Sequence, residues 1–302
     1  MAVLSPAMPG VGREAAATAV APRDQALAAT LARDAIAVLS LLAASLVLQL
    51  LFVSPLQARS AQQQEYDRFR HELASGTAPL AAGDIKSSGI PVSYLQIPKI
   101  GLRQVVVEGT DAGTLFKGPG HRRDTPLPGQ AGTSVVMGRR AAFGGPFAHI
   151  ASLTKGTPIK VTTGAGVFEY RVIDVRRAHG LAPPTLKAQG GRLALVTATG
   201  SPFVPSGVVV VDADLIVPGL GGAGPRFTAK TLPNAEKLLG VDLTTLWRLV
   251  LWLQVLIAVV VAASFAWLRW SRAKAWIVFT PTLLLVGLFT AGELARLLPN
   301  LL

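Results

Sequence analysis

Four histidines (His71, His121, His149 and His179) and no cysteine bound the chemistry open to this 302-residue chain. Without thiols there is no cysteine nucleophile, no disulfide framework and no thiolate zinc site. Four scattered histidines do not make a histidine-rich metal cluster. The candidate hydroxyls are Thr197, Thr199 and Ser201, at the end of an apolar run. A hydroxyl attacks only when a base sits beside it. His121, in a Gly-Pro-Gly-His string, is a candidate base, but sequence alone does not place it or His149 against a hydroxyl. Alternate threonines are also what a strand selects, and Thr197 and Thr199 share one face of it. Asp212 and Asp214 could line a calcium site, with Asp111 and Asp124 in loops, yet no EF-hand spacing is present. Gly118, Gly120, Gly129 and Gly132 lack the strand–GxGxxG–helix setting of a phosphate loop and suit tight turns. No metal or cofactor is expected. The adjacent pair Arg139–Arg140 is a candidate anion-binding feature.

The elements that must position these groups have two textures. Between 92 and 217 the runs VSYLQI, QVVVEG, GTSVVMG, PIKVTT, VFEYRVIDVRRA, RLALVTA and GVVVVDADLIV are β-branched or alternating, and Gly and Pro break them. Seven or eight short strands with few helices predict a mainly β domain, a closed or nearly closed barrel. In FEYRVIDV the faces are Phe168, Tyr170, Val172, Asp174 and Glu169, Arg171, Ile173, Val175, so both become mixed toward the end. Upstream, 57–75 favours helix, with Tyr66, Phe69 and Leu73 on one face.

Outside this region the chain is apolar. The 19 uncharged residues 35–53 approach the thickness of a bilayer core. A cleaved signal peptide competes, but the late start, weak basic flank and length favour a retained anchor. A second run, 249–268, lies between Arg248 and Arg269 with tryptophans near its ends. A third, 276–292, is short and contains Pro281; it extends around Glu293 or forms a re-entrant hairpin. Arg269, Arg272 and Lys274 place the short loop in the cytoplasm by the positive-inside rule. The expected organisation is a disordered cytoplasmic tail (1–34), membrane helix (35–55), helical extension and linker (56–91), extracytoplasmic barrel (92–217), linker (218–246), membrane helix (247–268), cytoplasmic loop (269–275) and membrane helix (276–298). That is a multi-pass protein of the plasma membrane. The net charge of +12 is carried mainly by 57–246, which holds 21 basic and 13 acidic residues. No aromatic platforms interleave with those cations, so anionic lipid or cell-wall polymer fits better than nucleic acid.

Four strings in order resemble one family: LQIPKIGLRQVVVEGT (95–110), LFKGPGHRRDTPLPGQAGTSVVMGRR (115–140), FGGPFAHIASLTKGTPIKVTT (143–163) and RLALVTATG (192–200). They are similar to the sortases of Gram-positive bacteria, especially the actinobacterial forms. The resemblance implies an eight-stranded extracytoplasmic barrel and a membrane-anchored transpeptidase working through a cysteine thioester. It also implies three catalytic positions, and each carries another residue here. Arg139 stands where the family has histidine and Ala198 where it has cysteine. Gly207 or Val208 stands where it has arginine, the register being open by one residue. An alanine methyl has no lone pair to attack with, and a guanidinium is too basic to shuttle protons near neutrality.

The expectation is therefore a pseudoenzyme. It would be a scaffold or accessory subunit of a cell-envelope or transporter complex, with a membrane-protein partner such as a transporter permease. Arg139 and Arg140 would give the old groove an exposed positive side. The alternative is a divergent transpeptidase or hydrolase using Thr197, Thr199 or Ser201, with His121 as a possible substitute base.

Overall fold

The computed structural model describes residues 22–82, 88–177, 180–202, 204–222, 224–225, 227–242, 246–269 and 272–302. His179, most of the expected tail and the middle of the 269–275 loop lie outside these residues. Residues up to Leu41 are one unit and residues 42–302 another; everything below concerns the second unless stated. Helix α1 covers Pro22–Leu48. It begins well before the apolar run, so residues 22–34 are helical and not the disordered tail their composition predicts. The alanines and leucines between Pro22 and Asp34 are good helix formers.

Helix α1 continues through a π turn at Gln49–Val53 into helix α2, Ser54–Ala74. Pro55 explains the turn. Its ring cannot donate to the preceding turn and crowds the carbonyl there, so the helix widens just before it. Ser54 Oγ donates to Leu50 O at 3.0 Å and satisfies a carbonyl at this joint. Phe69 on α2 is buried and Tyr66 packs on Tyr94, ring centroids 5.2 Å apart, as the apolar face predicts.

Eight strands follow: β1 Pro91–Ile97, β2 Leu102–Glu108, β3 Gly120–His121, β4 Gly132–Met137, β5 Pro158–Thr163, β6 Gly166–Arg177, β7 Gly191–Ser201 and β8 Val204–Leu215. One short helix, α3 (Ala112–Leu115), lies between β2 and β3. The sheet closes in the order β1-β2-β3-β4-β7-β8-β6-β5. β2–β3 and β4–β7 are parallel and the other pairs antiparallel. Leu95, Val106, Ile159, Phe168, Leu195 and Val211 fill the interior. The mixed faces of β6 have a local cause. A bulge between Val172 and Asp174 adds Ile173 to one strand, so the phase flips and Val175 returns to the core.

β7 is buried at every position from Gly191 to Ala198, which alternation with solvent on one side would not give. Leu193 and Leu195 face the barrel interior, while Ala194, Val196 and Ala198 belong to a second apolar cluster outside it, with Leu301 and Leu302. Helices α4 (Leu246–Arg269) and α5 (Arg272–Arg296) precede those two leucines. Among the described residues three helical spans, Ala35–Ala74, Leu246–Ala266 and Ala273–Arg296, are long and apolar enough to cross a membrane.

Tyr170, on β6, lies in the core and its hydroxyl accepts from Gly129 N at 2.6 Å. Burial pushes that phenol up to about 12, with the Gly129 N–H opposing. Gly129 must be glycine, because it has φ +94° and a Cβ would strike the Phe168 ring. Replacing Tyr170 by Phe leaves a buried N–H without a partner. Thermal unfolding of the full chain in detergent should report a loss of about 1–3 kcal/mol.

Candidate functional site

The ends of β4, β7 and β8 set Arg139, Ala198 and the Gly207–Val208 pair side by side. Met137 is level with Val196, Gly138 N donates to Val196 O at 3.0 Å, and Thr197 Oγ1 donates to Gly138 O at 2.8 Å. This brings Arg139 beside Ala198. Across the next ladder Ala198 pairs with Val208 and Thr199 with Gly207. Directly opposed residues share a face, so Val208 stands on the face of Ala198. Gly138 permits the close approach here, since a Cβ would run into the ring of Phe147.

This face is covered by the chain's own residues. Leu301 and Leu302 are both buried against Met137, Val196, Ala198 and Val208. Their backbone is held as well. Arg140 N donates to Leu301 O at 3.0 Å. Asn300 Nδ2 donates to Thr110 O at 2.8 Å, Lys237 O at 2.8 Å and Ala235 O at 3.2 Å, and Asn300 N to Gly240 O at 3.0 Å. The expected linker 218–246 thus has structure where it meets this segment. A 3-10 turn at Asn234–Glu236 sits on the barrel, with Thr110 Oγ1 donating to Glu236 O at 2.7 Å. Arg123 pairs with Glu236 at 3.2 Å and stacks over Phe227. Burial raises the Glu236 carboxyl, with Arg123 opposing.

Arg139 is the largest fully buried side chain among the described residues. The expectation of an exposed groove cation is therefore corrected. Its Nη1 donates to Leu302 O at 3.2 Å and its Nη2 to Ala112 O at 3.1 Å, and the guanidinium lies 4.9 Å from the Phe143 ring centre. Loss of solvent draws its pKa down to about 10, with Asp111 acting the other way, so it remains a cation at neutral pH. Arginine suits this position because its planar fork serves two carbonyls at once and its face stacks on an aromatic ring. Arg140 is half-buried and its Nη1 donates to Ala198 O at 3.1 Å. Both arginines hold backbone in place around the covered face.

The substitute groups do not converge. Thr197 spends its hydroxyl on Gly138 O; Thr199 is 3.5 Å from Ser206 Oγ, and Ser201 is exposed. His121 is wholly buried, its Nδ1 2.7 Å from Glu108 Oε2 and its Nε2 2.9 Å from Pro126 O. Both ring nitrogens face acceptors, so the imidazolium form donates twice. Burial alone would lower its pKa, but Glu108 and the Pro126 carbonyl outweigh that and raise it. His71 and His149 are exposed. The candidate acids are also engaged: Asp212 by Arg176 at 2.6 Å and Asp214 by Arg192 at 2.6 Å. Asp124 pairs with Arg122, and Asp111 caps α3 through Thr114 N. No group of three or more potential metal ligands occurs among the described residues. Sequence reasoning missed Asn300, Leu301 and Leu302. Their only signal was a polar residue and two leucines beyond the last apolar helix.

A sortase domain model matches residues 95–215, the span from β1 to β8. Residues 95–215 are a sortase-family domain. The chain is 28% identical over 155 residues to Sortase D of Bacillus subtilis, covering 51% of this chain and 75% of that one. Among solved structures it is similar to a Clostridium perfringens Sortase D5 transpeptidase, at 22% identity and TM-score 0.43, covering 52% of this chain and 99% of that one. It is also similar to the SrtF sortase from Corynebacterium diphtheriae, at 21% identity and TM-score 0.39, covering 47% and 93%.

Two outcomes follow for this sortase domain. Leu301→Ala and Leu302→Ala should each lower stability by about 2–5 kcal/mol and speed amide hydrogen exchange along β7; Arg139→Glu, placing a carboxylate against two carbonyls, should cost at least about 2 kcal/mol. Unchanged exchange in β7 would mean that the segment does not cover that face. The second concerns pH. The folded pKa of His121 lies above the ordinary 6.5, so its contribution is complete below 6.5 and is lost as pH rises through the folded value. Unfolding midpoints should fall as the pH is raised above that point, and His121→Gln should remove this part of the slope.

Proposed function

We propose that this chain is a catalytically inactive sortase-like membrane protein that acts by contact, as a scaffold or accessory subunit of a cell-envelope or transporter complex. One observation carries the reading: Ala198, at the nucleophile position, lies under Leu301 and Leu302, and Arg139, at the histidine position, is committed to holding them. Acyl transfer needs a nucleophile, a proton carrier and access for a peptide. The methyl of Ala198 supplies no electron pair, Arg139 holds its proton at neutral pH, and the strand face is occupied. The backbone N–H groups nearby could still stabilise an oxyanion, but nothing next to them would generate one.

The apolar helices are then the contact surface. Ile257, Val261 and Phe265 are exposed at four-residue spacing on α4, which suits lipid or a partner helix. On this reading the chain is multi-pass. Arg269, Arg272 and Lys274 face the cytoplasm, and the barrel lies on the other side, where residues following α5 also meet it. The partner is a membrane protein, and a transporter permease is the kind of assembly that these helices suit.

In a ligation assay with the full chain, a sorting-signal peptide and an amine acceptor, no acyl-enzyme and no ligated product should form. Product that disappears in a folded Thr199→Ala or Ser201→Ala protein would establish the serine/threonine alternative instead. For topology, cysteines introduced at exposed Lys155 and Lys274 exploit the absence of native thiols. An impermeant thiol reagent should label the first in intact cells and spare the second; the reverse pattern would invert the orientation.

A further inference from the structure

A cavity of about 540 Å³ lies between α2 and the outside of the barrel, and neither Ala198 nor Leu301 nor Leu302 lines it. Its helical wall is one face of α2, from Pro55 and Ala58 through Arg59 and Gln62 to Tyr66. Its barrel wall carries Tyr94 and Arg103, and Lys117 and Phe143 lie along the rim. Among the described residues three cations line it and no carboxylate does. Lys117 is drawn to Glu65 at 2.8 Å, whereas Arg59 and Arg103 have exposed side chains turned to this space.

The walls are fixed. Gln62 Nε2 donates to Lys117 O at 2.7 Å and Val105 O at 3.0 Å, and its Oε1 accepts from Val105 N at 2.8 Å. Gly118, at φ +155°, leaves room for that amide, because a Cβ there would collide with it. The cavity has a polarity gradient along the helix. Leu51, Phe52 and Leu56 are exposed apolar side chains at its approach, and Arg59 and Gln63 follow on α2. The Arg59 backbone lies about 9 Å beyond Val53 at 1.5 Å per residue, just outside a headgroup layer about 5–7 Å deep, so its long side chain can reach back to phosphate level.

We infer that this cavity binds the phosphate of an anionic phospholipid headgroup, with Arg59 and Arg103 as its cationic jaws and the acyl chains lying along Leu51, Phe52 and Leu56. Guanidinium pairs recognise phosphate oxygens through charge-assisted, often bidentate hydrogen bonds. The hydroxyls of Tyr66 and Tyr94 and the amide of Gln63 add neutral donors for a glycerol headgroup. The inference rests on the membrane reading of α1 and α2, and the following test does not depend on orientation, so the two can fail separately.

The full chain, purified in a neutral detergent, would be titrated with short-chain phosphatidylglycerol, short-chain phosphatidylcholine and inorganic phosphate, with binding read by native mass spectrometry and by thermal shift. Phosphatidylglycerol should bind most tightly, and the Arg59→Gln/Arg103→Gln protein should lose about tenfold or more in that affinity while its unfolding midpoint without lipid is unchanged. Arg59→Lys/Arg103→Lys should recover part of the loss. Equal affinity for phosphatidylcholine, equal affinity for inorganic phosphate, or undiminished phosphatidylglycerol binding by the double glutamine variant would each overturn the inference.

Discussion

The seating of residues 300–302 on the outer face of β4, β7 and β8 governs the arrangement of the rest. A strand with both faces apolar must be covered on both, and the barrel interior supplies only one cover for β7. Leu301 and Leu302 supply the other. Hydrophobic cover alone is not directional, so the register comes from polar contacts. Asn300 reaches three carbonyls from two separate loops, and Arg139 spans Leu302 and Ala112. A buried guanidinium is costly to leave unsolvated; Leu302 O, Ala112 O and the Phe143 face offset that cost here. The same contacts order the 3-10 turn at Asn234–Glu236 and bring α5 to the barrel.

Much of the barrel was legible in the sequence because its rules are local. Period-two runs broken by Gly and Pro marked seven of the eight strands, three apolar runs marked the long apolar helices, and the two-residue β3 lies in a Gly-Pro-Gly-His string too short to show a period. The face assignment on β6 became mixed just where the bulge at Ile173 resets the phase, which strict alternation does not represent. The α1 start was missed because an alanine-rich stretch without an apolar stripe has helix propensity but no periodicity.

At the candidate site the residue types were readable from the sequence and their surroundings were not. Arg139, Ala198 and the Gly207–Val208 pair stand side by side because β4, β7 and β8 are neighbours in the sheet. Whether that face is open or filled depends on residues more than a hundred positions away in sequence, and no spacing rule links Arg139 to Leu302. Hence Arg139, taken from its charge to be exposed, is wholly buried. The threonines were readable as strand residues, and Thr197 does serve the neighbouring strand end. His121 was weighed as a base because histidines so often are; its two acceptors, Glu108 and Pro126, come from the neighbouring strand and from a turn that composition does not bring together.

The barrel is fastened to its helices at two separated places. Gln62 and Glu65 of α2 grip the β2 side, and residues 300–302, following α5, grip the β4–β7–β8 side. A domain on a single pliant stalk sweeps a wide volume and meets whatever diffuses through it. Two attachments remove that rotational freedom, so the barrel keeps one azimuth and one height relative to its helices. Its working radius shrinks to the space beside those helices, and the partner proposed above would have to present itself there in a matching pose. Recognition in such an arrangement draws on geometry paid in advance by folding, and the entropy lost on encounter falls mainly on the partner.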